Sequence, residues 1–365
     1  MVRKLSKIVL MEIDSTWRQH LRRPWIMAGP CSAESSEQLR EITKEIYRLG
    51  IKVIRAGIWK PRTRPNHFEG VGEEGLKWMA SIKKEIPVQF ATEVATPQHL
   101  ELALKYGVDI IWIGARTTVN PFIVQDIADA LTGVDIPVFI KNPINPDLAL
   151  WLGCIERIAG AGVKKIAAIH RGFSSFKKSS FRNEPLWQIA IELKQHLPDL
   201  PLICDPSHIA GDRSMVTEIA QKALDMSYDG LMIEVHPIPD QALSDPKQQV
   251  APMQLAEMLK QLTIRSDTNK DALFTSKLEE LRNKIDSIDH DLVEHLATRM
   301  TLIEEIGQYK KENDVTILQL ERWKAILTSR KQWGKTLNLN SEFIEDIYKT
   351  IHTESIRKQT DIFNN

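Results

Sequence analysis

Val53-Ile54-Arg55-Ala56-Gly57-Ile58-Trp59-Lys60-Pro61-Arg62-Thr63-Arg64 opens on a short apolar run and closes on a cluster of cations. Three cations around a proline at the end of a buried strand make a poor core and an expensive surface. They make a good clamp for a strongly anionic, phosphorylated molecule. The pattern recurs along the first two-thirds of the chain. Ile26-Met27-Ala28 leads into Gly29-Pro30-Cys31, Val88-Gln89-Phe90 to Glu93, and Ile110-Ile111-Trp112-Ile113 to Arg116. Val138-Phe139-Ile140 ends at Lys141, and the run from Ile166 to Ile169 leads to Arg171. Leu202-Ile203-Cys204 leads to Asp205 and His208, and Leu231-Met232-Ile233 ends at Glu234. These runs are too uniformly apolar for one-sided strands, so they read as parallel strands buried on both faces. Helix-like stretches such as 36–49 and 97–106 separate them. Strand and helix alternating eight times over roughly 250 residues predict a (β/α)8 barrel, whose active site lies at the C-terminal ends of the strands.

Composition sets bounds. The 365 residues are comfortable for two domains, and 48 basic against 48 acidic side chains give a formal net charge of zero. No bulk attraction to nucleic acid or membrane follows. No apolar stretch approaches a membrane span, and the N-terminus lacks the apolar core of a signal peptide. Cys31, Cys154 and Cys204 show no paired spacing, which points to a reducing, cytoplasmic setting.

Cys31, His208, Glu234 and Asp245 combine a thiolate, an imidazole and two carboxylates. That mixture suits Mn, Fe, Co or Zn better than Mg or Ca. Each has a plainer reading: a small core cysteine, a turn with a capping Asp205, a glutamate paired with a cation, a solvated loop aspartate. His236 shares a strand face with Glu234 and is a rival ligand.

The motifs then carry a resemblance. Gly29-Pro30-Cys31-Ser32-Ala33-Glu34, Arg55 with Lys60-Pro61-Arg62-Thr63, Gly114-Ala115-Arg116, Lys141-Asn142-Pro143, His170-Arg171-Gly172, Asp205-Pro206-Ser207-His208, Glu234-Val235-His236 and Leu243-Ser244-Asp245 lie between Met27 and about Gln249. This region resembles the 3-deoxy-D-arabino-heptulosonate 7-phosphate (DAHP) synthases, which open the shikimate pathway. The resemblance implies one divalent ion on Cys31, His208, Glu234 and Asp245. It implies phosphoenolpyruvate held by Arg55, Lys60, Arg116, Lys141 and Arg171, and erythrose 4-phosphate held by Lys60, Pro61, Arg62 and Thr63. Lys60 would also serve the chemistry, by protonating or stabilising the new alkoxide. Glu93 is a candidate for water activation by position only. Pro246 stands where family members often carry Gly. The alternative is the related 3-deoxy-D-manno-octulosonate 8-phosphate synthases, which carry a different, Asn-containing sequence in place of Lys-Pro-Arg-Thr.

The barrel domain is expected over 1–264 and a polar linker over 265–274, with an all-helical domain over 275–365. From Thr275 to about Lys311 there is no Pro and one Gly. Leu278, Leu281, Ile285, Ile288, Leu292, Leu302 and Ile306 fall on one stripe with heptad-like spacing. That predicts one helix on the order of 50 Å long, which outgrows a small domain and calls for a partner chain. Shorter helices are expected over 318–333 and 341–358. Arg299 interrupts the stripe, and a charge there must be paired. A structural ion pair in a seam and an anion site inside a bundle explain it equally well.

Residues 278–359 resemble the small, intertwined dimeric chorismate mutases. Arg282, Arg299, Lys310, Arg322, Ser355 and Gln359 fall in register with that family's functional residues. The resemblance implies that Arg299 and Arg322, with Arg282 from the other subunit, bind the carboxylates of chorismate. It implies that Lys310 and Gln359 donate to the ether oxygen, and that no cofactor is needed. Gln319 and Trp323 stand where the family commonly has Asp and Glu on the substrate hydroxyl. Gln319 can still hydrogen-bond that hydroxyl, whereas an indole only donates. The alternative is a non-catalytic chorismate or prephenate sensor and dimerisation module. Only about 25 residues precede the first strand, so feedback control, with prephenate as effector, is expected to act through the helical domain. A homodimer through the C-terminal helices is expected.

Overall fold

The computed structural model describes residues 23–60, 68–176, 179–266 and 272–364. The chain divides into two compact units, Met1–Asp267 and Thr268–Asn365. Pro61, Arg62 and Thr63 lie outside the described residues, as do residues 267–271 of the expected linker.

In the first unit eight parallel strands close into a barrel in the order β1 to β8. They are β1 (Trp25–Gly29), β2 (Val53–Arg55), β3 (Gln89–Val94), β4 (Ile110–Ile113), β5 (Val138–Lys141), β6 (Ile166–His170), β7 (Leu202–Cys204) and β8 (Gly230–Glu234). Each predicted apolar run is a strand, and β1 closes the cylinder by pairing Gly29 with Glu234 of β8. Ile54, Phe90, Ile111, Ile140 and Ile233 belong to the large cluster packed against the helices. Met27, Trp112, Phe139, Ile169 and Met232 belong to a second cluster that fills the barrel. Burial on both faces is why the runs show no alternation.

The helices are α1 (Ser36–Arg48), α2 (Glu73–Glu85), α3 (Pro97–Lys105), α4 (Ala115–Thr118), α5 (Pro121–Ala130), α6 (Leu148–Gly160), α7 (Trp187–His196), α8 (Pro206–Ala210), α9 (Val216–Asp225) and α10 (Pro252–Gln261). Several start on side-chain caps: Ser35 accepts from the Gln38 N–H, Thr96 from His99 and Asp147 from Leu150. Gly29, at φ +149°, ends β1 in the left-handed region, and a Cβ there would lie 2.1 Å from the Arg55 carbonyl oxygen. Only glycine lets the chain turn there into Pro30-Cys31 so close to β2.

The second unit consists of α11 (Ala272–Glu312), α12 (Leu320–Thr336) and α13 (Ser341–Asn364). The 41-residue α11 starts three residues earlier than the sequence suggests, since Ala272-Leu273-Phe274 carries no helix breaker. Both α11 and α12 pack along α13. Asn338, at φ +57°, follows the C-terminus of α12, and Asn340 accepts from the Glu342 and Phe343 N–H groups to start α13. Leu281, Ile285, Ile288, Leu292, Leu302 and Ile306 are 46–64 % exposed, so the apolar stripe faces outward. Among the described residues no helix is long and apolar enough to cross a membrane.

Candidate active sites

The C-terminal rim of the barrel gathers charge. Arg55 ends β2 and is buried, its Nη2 3.1 Å from Glu234 Oε1 and its Nη1 3.8 Å from Asp205 Oδ2. Lys141 ends β5, with Nζ 3.0 Å from the same Asp205 oxygen. The Trp112 ring lies beneath both cations, its centroid 5.2 Å from Arg55 Cζ and 5.7 Å from Lys141 Nζ. Its indole N–H donates to Glu93 Oε2 at 2.8 Å. Gly114 leaves room for that carboxylate, because a Cβ there would sit 2.2 Å from Glu93 Oε1.

Asp205 is the hub. Its Oδ1 caps α8 by accepting from the His208 N–H, and its Oδ2 lies 2.8 Å from His208 Nδ1. Burial alone would favour its neutral form, but His208, Lys141 and Arg55 hold it well below the usual carboxylate range. Burial lowers the Lys141 pKa despite Asp205. Burial also opposes ionisation of Glu234, yet His208 and Arg55 keep its pKa low.

Beside this network the ligand atoms of Cys31, Glu234 and Asp245 lie within 4.8 Å of one another. Cys31 Sγ is 3.4 Å from Asp245 Oδ2, and Lys60 Nζ is 3.1 Å from Cys31 Sγ. His208 borders the trio, its Nε2 3.7 Å from Glu234 Oε1. His236 turns away: its Nε2 lies 3.4 Å from Glu34 Oε2, and its Nδ1 accepts from the Ile238 N–H. Burial, with Glu234 next, pushes the Cys31 thiol up to about 12 against the pull of Lys60. Glu234 Oε1 is buried and accepts no hydrogen bond among the described residues. Asp245 adopts φ +51°, a strained conformation for a non-glycine residue. A buried oxygen that has an ion-pair partner in Arg55 but no hydrogen bond, beside a thiol, an aspartate and an imidazole, is part of a donor set that fits a divalent transition-metal ion.

Two further expected cations stand at the rim. Arg171 donates to Asn183 Oδ1 at 2.6 Å and to the Gly172 carbonyl at 3.3 Å. Its backbone N–H donates to Asn142 Oδ1. Burial brings its pKa down to about 10, with Arg182 and Arg116 pushing the same way against Asp205. Arg116, in α4, is exposed. Sequence reasoning missed Arg182, which donates to Asp245 Oδ1 at 2.9 Å and to Gln248 Oε1 at 2.6 Å. It sits in the loop after β6, far from any strand end, so strand-end logic gave no signal for it. Gln248 and Asn183 were missed for the same reason.

In the helical unit Arg299 of α11 donates to Ser355 Oγ of α13 at 2.7 Å. Ser355 is buried and donates to the Ile351 carbonyl. Gln359 Nε2 donates to the Ser355 carbonyl, while its buried Oε1 has no hydrogen-bond partner among the described residues. Gln359 packs against Gly307, where a Cβ would come within 3.1 Å of its Cγ. Lys310 donates to the Ile317 carbonyl at 2.6 Å and shares a cleft with Leu302, Ile306, Tyr309 and Gln319. Burial, then Arg330, lowers the Arg299 pKa against Tyr348. Arg282 and Arg322 are exposed, and Arg282 pairs with Glu279 at 2.9 Å. Seventeen residues of helix, roughly 25 Å, separate Arg282 from Arg299, so one chain does not bring them together. Trp323 stacks on His352 with centroids 3.8 Å apart and planes 18° from parallel. His352 was not anticipated, since as a lone helix histidine it gave no signal.

Comparison with known proteins places this architecture. The family model described as DAHP synthetase I family matches residues 20–269, and that for chorismate mutase type II matches residues 281–360. A Thermotoga maritima phospho-2-dehydro-3-deoxyheptonate aldolase is 34 % identical over 223 residues, 61 % of this chain and 64 % of the relative. The match thus spans somewhat less than two thirds of that relative. A 2-dehydro-3-deoxyphosphooctonate aldolase of Desulfotalea psychrophila is 26 % identical over 65 % of this chain and 88 % of its own length. The crystal structure of the Thermotoga maritima aldolase, described as a DAHP synthase, superposes with a TM-score of 0.59 at 32 % identity, covering 65 % of this chain and 67 % of that one. A truncated form of the Thermotoga maritima 3-deoxy-D-arabino-heptulosonate 7-phosphate synthase gives 0.56 at 31 % identity, covering 64 % and 83 %. The chain belongs to the DAHP synthetase I family and carries a chorismate mutase type II domain after its barrel.

Proposed function

We propose that the barrel condenses phosphoenolpyruvate with erythrose 4-phosphate to give 3-deoxy-D-arabino-heptulosonate 7-phosphate and phosphate. The observation that carries this reading is Lys60 Nζ, 3.1 Å from Cys31 Sγ, which sets the β2 cation against the candidate metal ligands. Arg55, Lys60, Arg116, Lys141 and Arg171 hold the carboxylate and phosphate of phosphoenolpyruvate. Lys60, Pro61, Arg62 and Thr63 hold the sugar phosphate. Cys31, His208, Glu234 and Asp245 hold one divalent ion, which when bound supplies Lewis-acid polarisation of the aldehyde. C3 of phosphoenolpyruvate forms the new bond to the aldehyde carbon, and the aldehyde oxygen becomes an alkoxide that takes a proton from Lys60. Water adds at C2, and phosphate departs as the C2–O bond breaks. Phosphate release by the purified chain tests this, with erythrose 4-phosphate or arabinose 5-phosphate as acceptor. Turnover with arabinose 5-phosphate alone would select the octulosonate reading, in line with the 26 % relatives. Activity that survived a chelator and gained nothing from Mn, Fe, Co or Zn would remove the metal from the scheme.

The helical unit, in this reading, rearranges chorismate to prephenate. That reaction needs a compact bound conformer and donors to the ether oxygen, and no nucleophile or cofactor. Arg299, Arg322 and a partner's Arg282 take the carboxylates, and Lys310 and Gln359 face the ether oxygen. Gln319 and Ser355 complete the site. Chorismate consumption, beside an Arg299→Ala control, is the test. A second reading, a chorismate or prephenate sensor that controls the barrel, is favoured by Lys310 resting on the Ile317 carbonyl and by the Trp323–His352 stack. Prephenate that binds tightly yet leaves the synthase rate unchanged would exclude it. The chain works in the cytoplasm as a homodimer, joined through the outward apolar stripe of α11.

A further inference from the structure

We infer that Arg182 and Asn183 form a clamp that fixes three of the four candidate metal ligands, acting through Gln248 on the third. This rests on the metal-dependent reading of the barrel. Arg182 Nη1 donates to Asp245 Oδ1 at 2.9 Å and to Gln248 Oε1 at 2.6 Å. Gln248 is buried, and its Nε2 donates to Glu234 Oε2 at 2.6 Å. The orientation of that amide is forced, because a guanidinium only donates and a carboxylate only accepts. Asn183 Nδ2 donates to the His208 carbonyl at 2.7 Å.

The backbone of the same two residues is pinned to the helix that carries His208. The Arg182 N–H donates to the Ala210 carbonyl and the Asn183 N–H to the Ile209 carbonyl. Gly211, at φ +70°, permits this approach, since a Cβ there would lie 2.4 Å from Arg182 Cβ. One dipeptide therefore reaches Asp245, Glu234 and His208, which are distant in sequence.

The consequence lies in which oxygens remain. The clamp takes Oδ1 of Asp245 and Oε2 of Glu234. It leaves Asp245 Oδ2, 3.4 Å from Cys31 Sγ, and Glu234 Oε1, 3.7 Å from His208 Nε2. Each carboxylate so keeps one oxygen on the side of the thiol and imidazole; Arg55 Nη2, 3.1 Å away, balances the charge on the Glu234 oxygen. Asp245 needs such a hold, because its backbone sits in the left-handed region on a loop. Arg182 and Gln248 are positioning residues: outer partners of this kind fix ligand orientation and affinity.

The test is titration of the metal-free full chain with Co2+ alone, read by the thiolate-to-cobalt absorption and the ligand-field bands. The variants are Arg182→Ala, Arg182→Lys and Gln248→Leu. Arg182→Lys keeps the charge but has no planar fork to hold two acceptors. All three should bind Co2+ about ten- to a hundred-fold more weakly, with altered ligand-field bands. The metal-free chain should lose stability in Gln248→Leu, which strips Glu234 Oε2 of its buried donor, but should keep its thermal midpoint in Arg182→Lys, and that variant separates positioning from a general loss of structure. Variants with the parent's affinity and spectrum would overturn the clamp. A loss of metal-free stability in all three, matched by the loss of affinity, would also overturn it in favour of a structural role. A parent chain that binds no Co2+ would overturn the metal reading of the barrel instead.

Discussion

Arg55 and Glu234 face each other at the barrel rim, Nη2 3.1 Å from Oε1, and both side chains are buried. Arg55 also lies 3.8 Å from Asp205, so one guanidinium compensates two buried carboxylates. Removing it takes away the one permanent cation, among the described residues, in ion-pair contact with both buried carboxylates. Arg55→Met is therefore expected to destabilise the barrel by about 3–5 kcal/mol and to abolish condensation. Urea unfolding followed by tryptophan fluorescence measures the first. An unchanged midpoint would show that the pair carries no structural weight.

The strand ends were legible for a physical reason. A barrel strand is apolar on both faces until it reaches the rim, so the first charged residue after each run marks the site. Arg55, Lys141, Asp205 and Glu234 obey that rule, and His208 follows in the short helix that Asp205 caps. Arg182, Gln248 and Asn183 do not, because they act from loops whose path depends on tertiary contacts such as Gly211 beneath Arg182. In the helical unit the stripe of α11 was legible from spacing alone. The pairing of Arg299 with Ser355 required a register that only a resemblance supplied. The Trp323–His352 stack joins two helices and left no trace in either.

Gly114→Ala tests the seat of Glu93. The added methyl would sit 2.2 Å from Glu93 Oε1 and must push the carboxylate off the Trp112 indole. Loss of that charge-assisted hydrogen bond costs about 1.5–3 kcal/mol. The expected result is a shifted Trp112 emission and a condensation rate reduced about tenfold or more. Parent-like emission and rate would mean that Glu93 relaxes without consequence.

His170 supplies a pH dependence. It is buried among Trp151, Phe173, Trp187 and Tyr228, with Nδ1 2.9 Å from the Tyr228 hydroxyl. Burial, with Arg171 nearby, lowers its pKa from 6.5 to about 4. Below pH 6.5 the unfolded chain takes a proton that the folded chain refuses, so the unfolded state binds more protons and stability falls with pH. The loss runs from about pH 6.5 to about pH 4 and reaches about 3 kcal/mol. The double variant His170→Phe, Tyr228→Phe removes the titrating group without stranding the hydroxyl. Unfolding free energies at pH 7 and pH 5 should differ less in it than in the parent chain, and an equal difference would refute the assignment.

Arg299→Ala removes the buried-side partner of Ser355 and, in the proposed function, a carboxylate ligand of chorismate. Loss of a charged contact to the reacting molecule is expected to cut chorismate turnover by about 10²–10³. Helical content should hold, since the side chain is only partly buried. Circular dichroism checks the fold, and loss of chorismate absorbance checks the rate. A variant as active as the parent would take Arg299 out of the site.

The stripe of α11 bears on oligomeric state. Ile285, Ile288 and Leu292 are 56 %, 64 % and 56 % exposed, and covering the part of each still open to water is worth about 1–2 kcal/mol. Arg282 lies on the same helix, too far from Arg299 to serve it within one chain. If a second copy covers the stripe, an Ile288→Glu substitution buries an unpaired charge there and costs several kcal/mol of association. Sedimentation velocity should then show a parent dimer and a mostly monomeric variant at micromolar concentration. The two proposals are linked, because a monomer would lack the Arg282 of its neighbour. Chorismate turnover should therefore rise with Ile288→Glu concentration while the parent's specific rate stays constant. A variant that remains dimeric with full turnover would show that the stripe is not the contact.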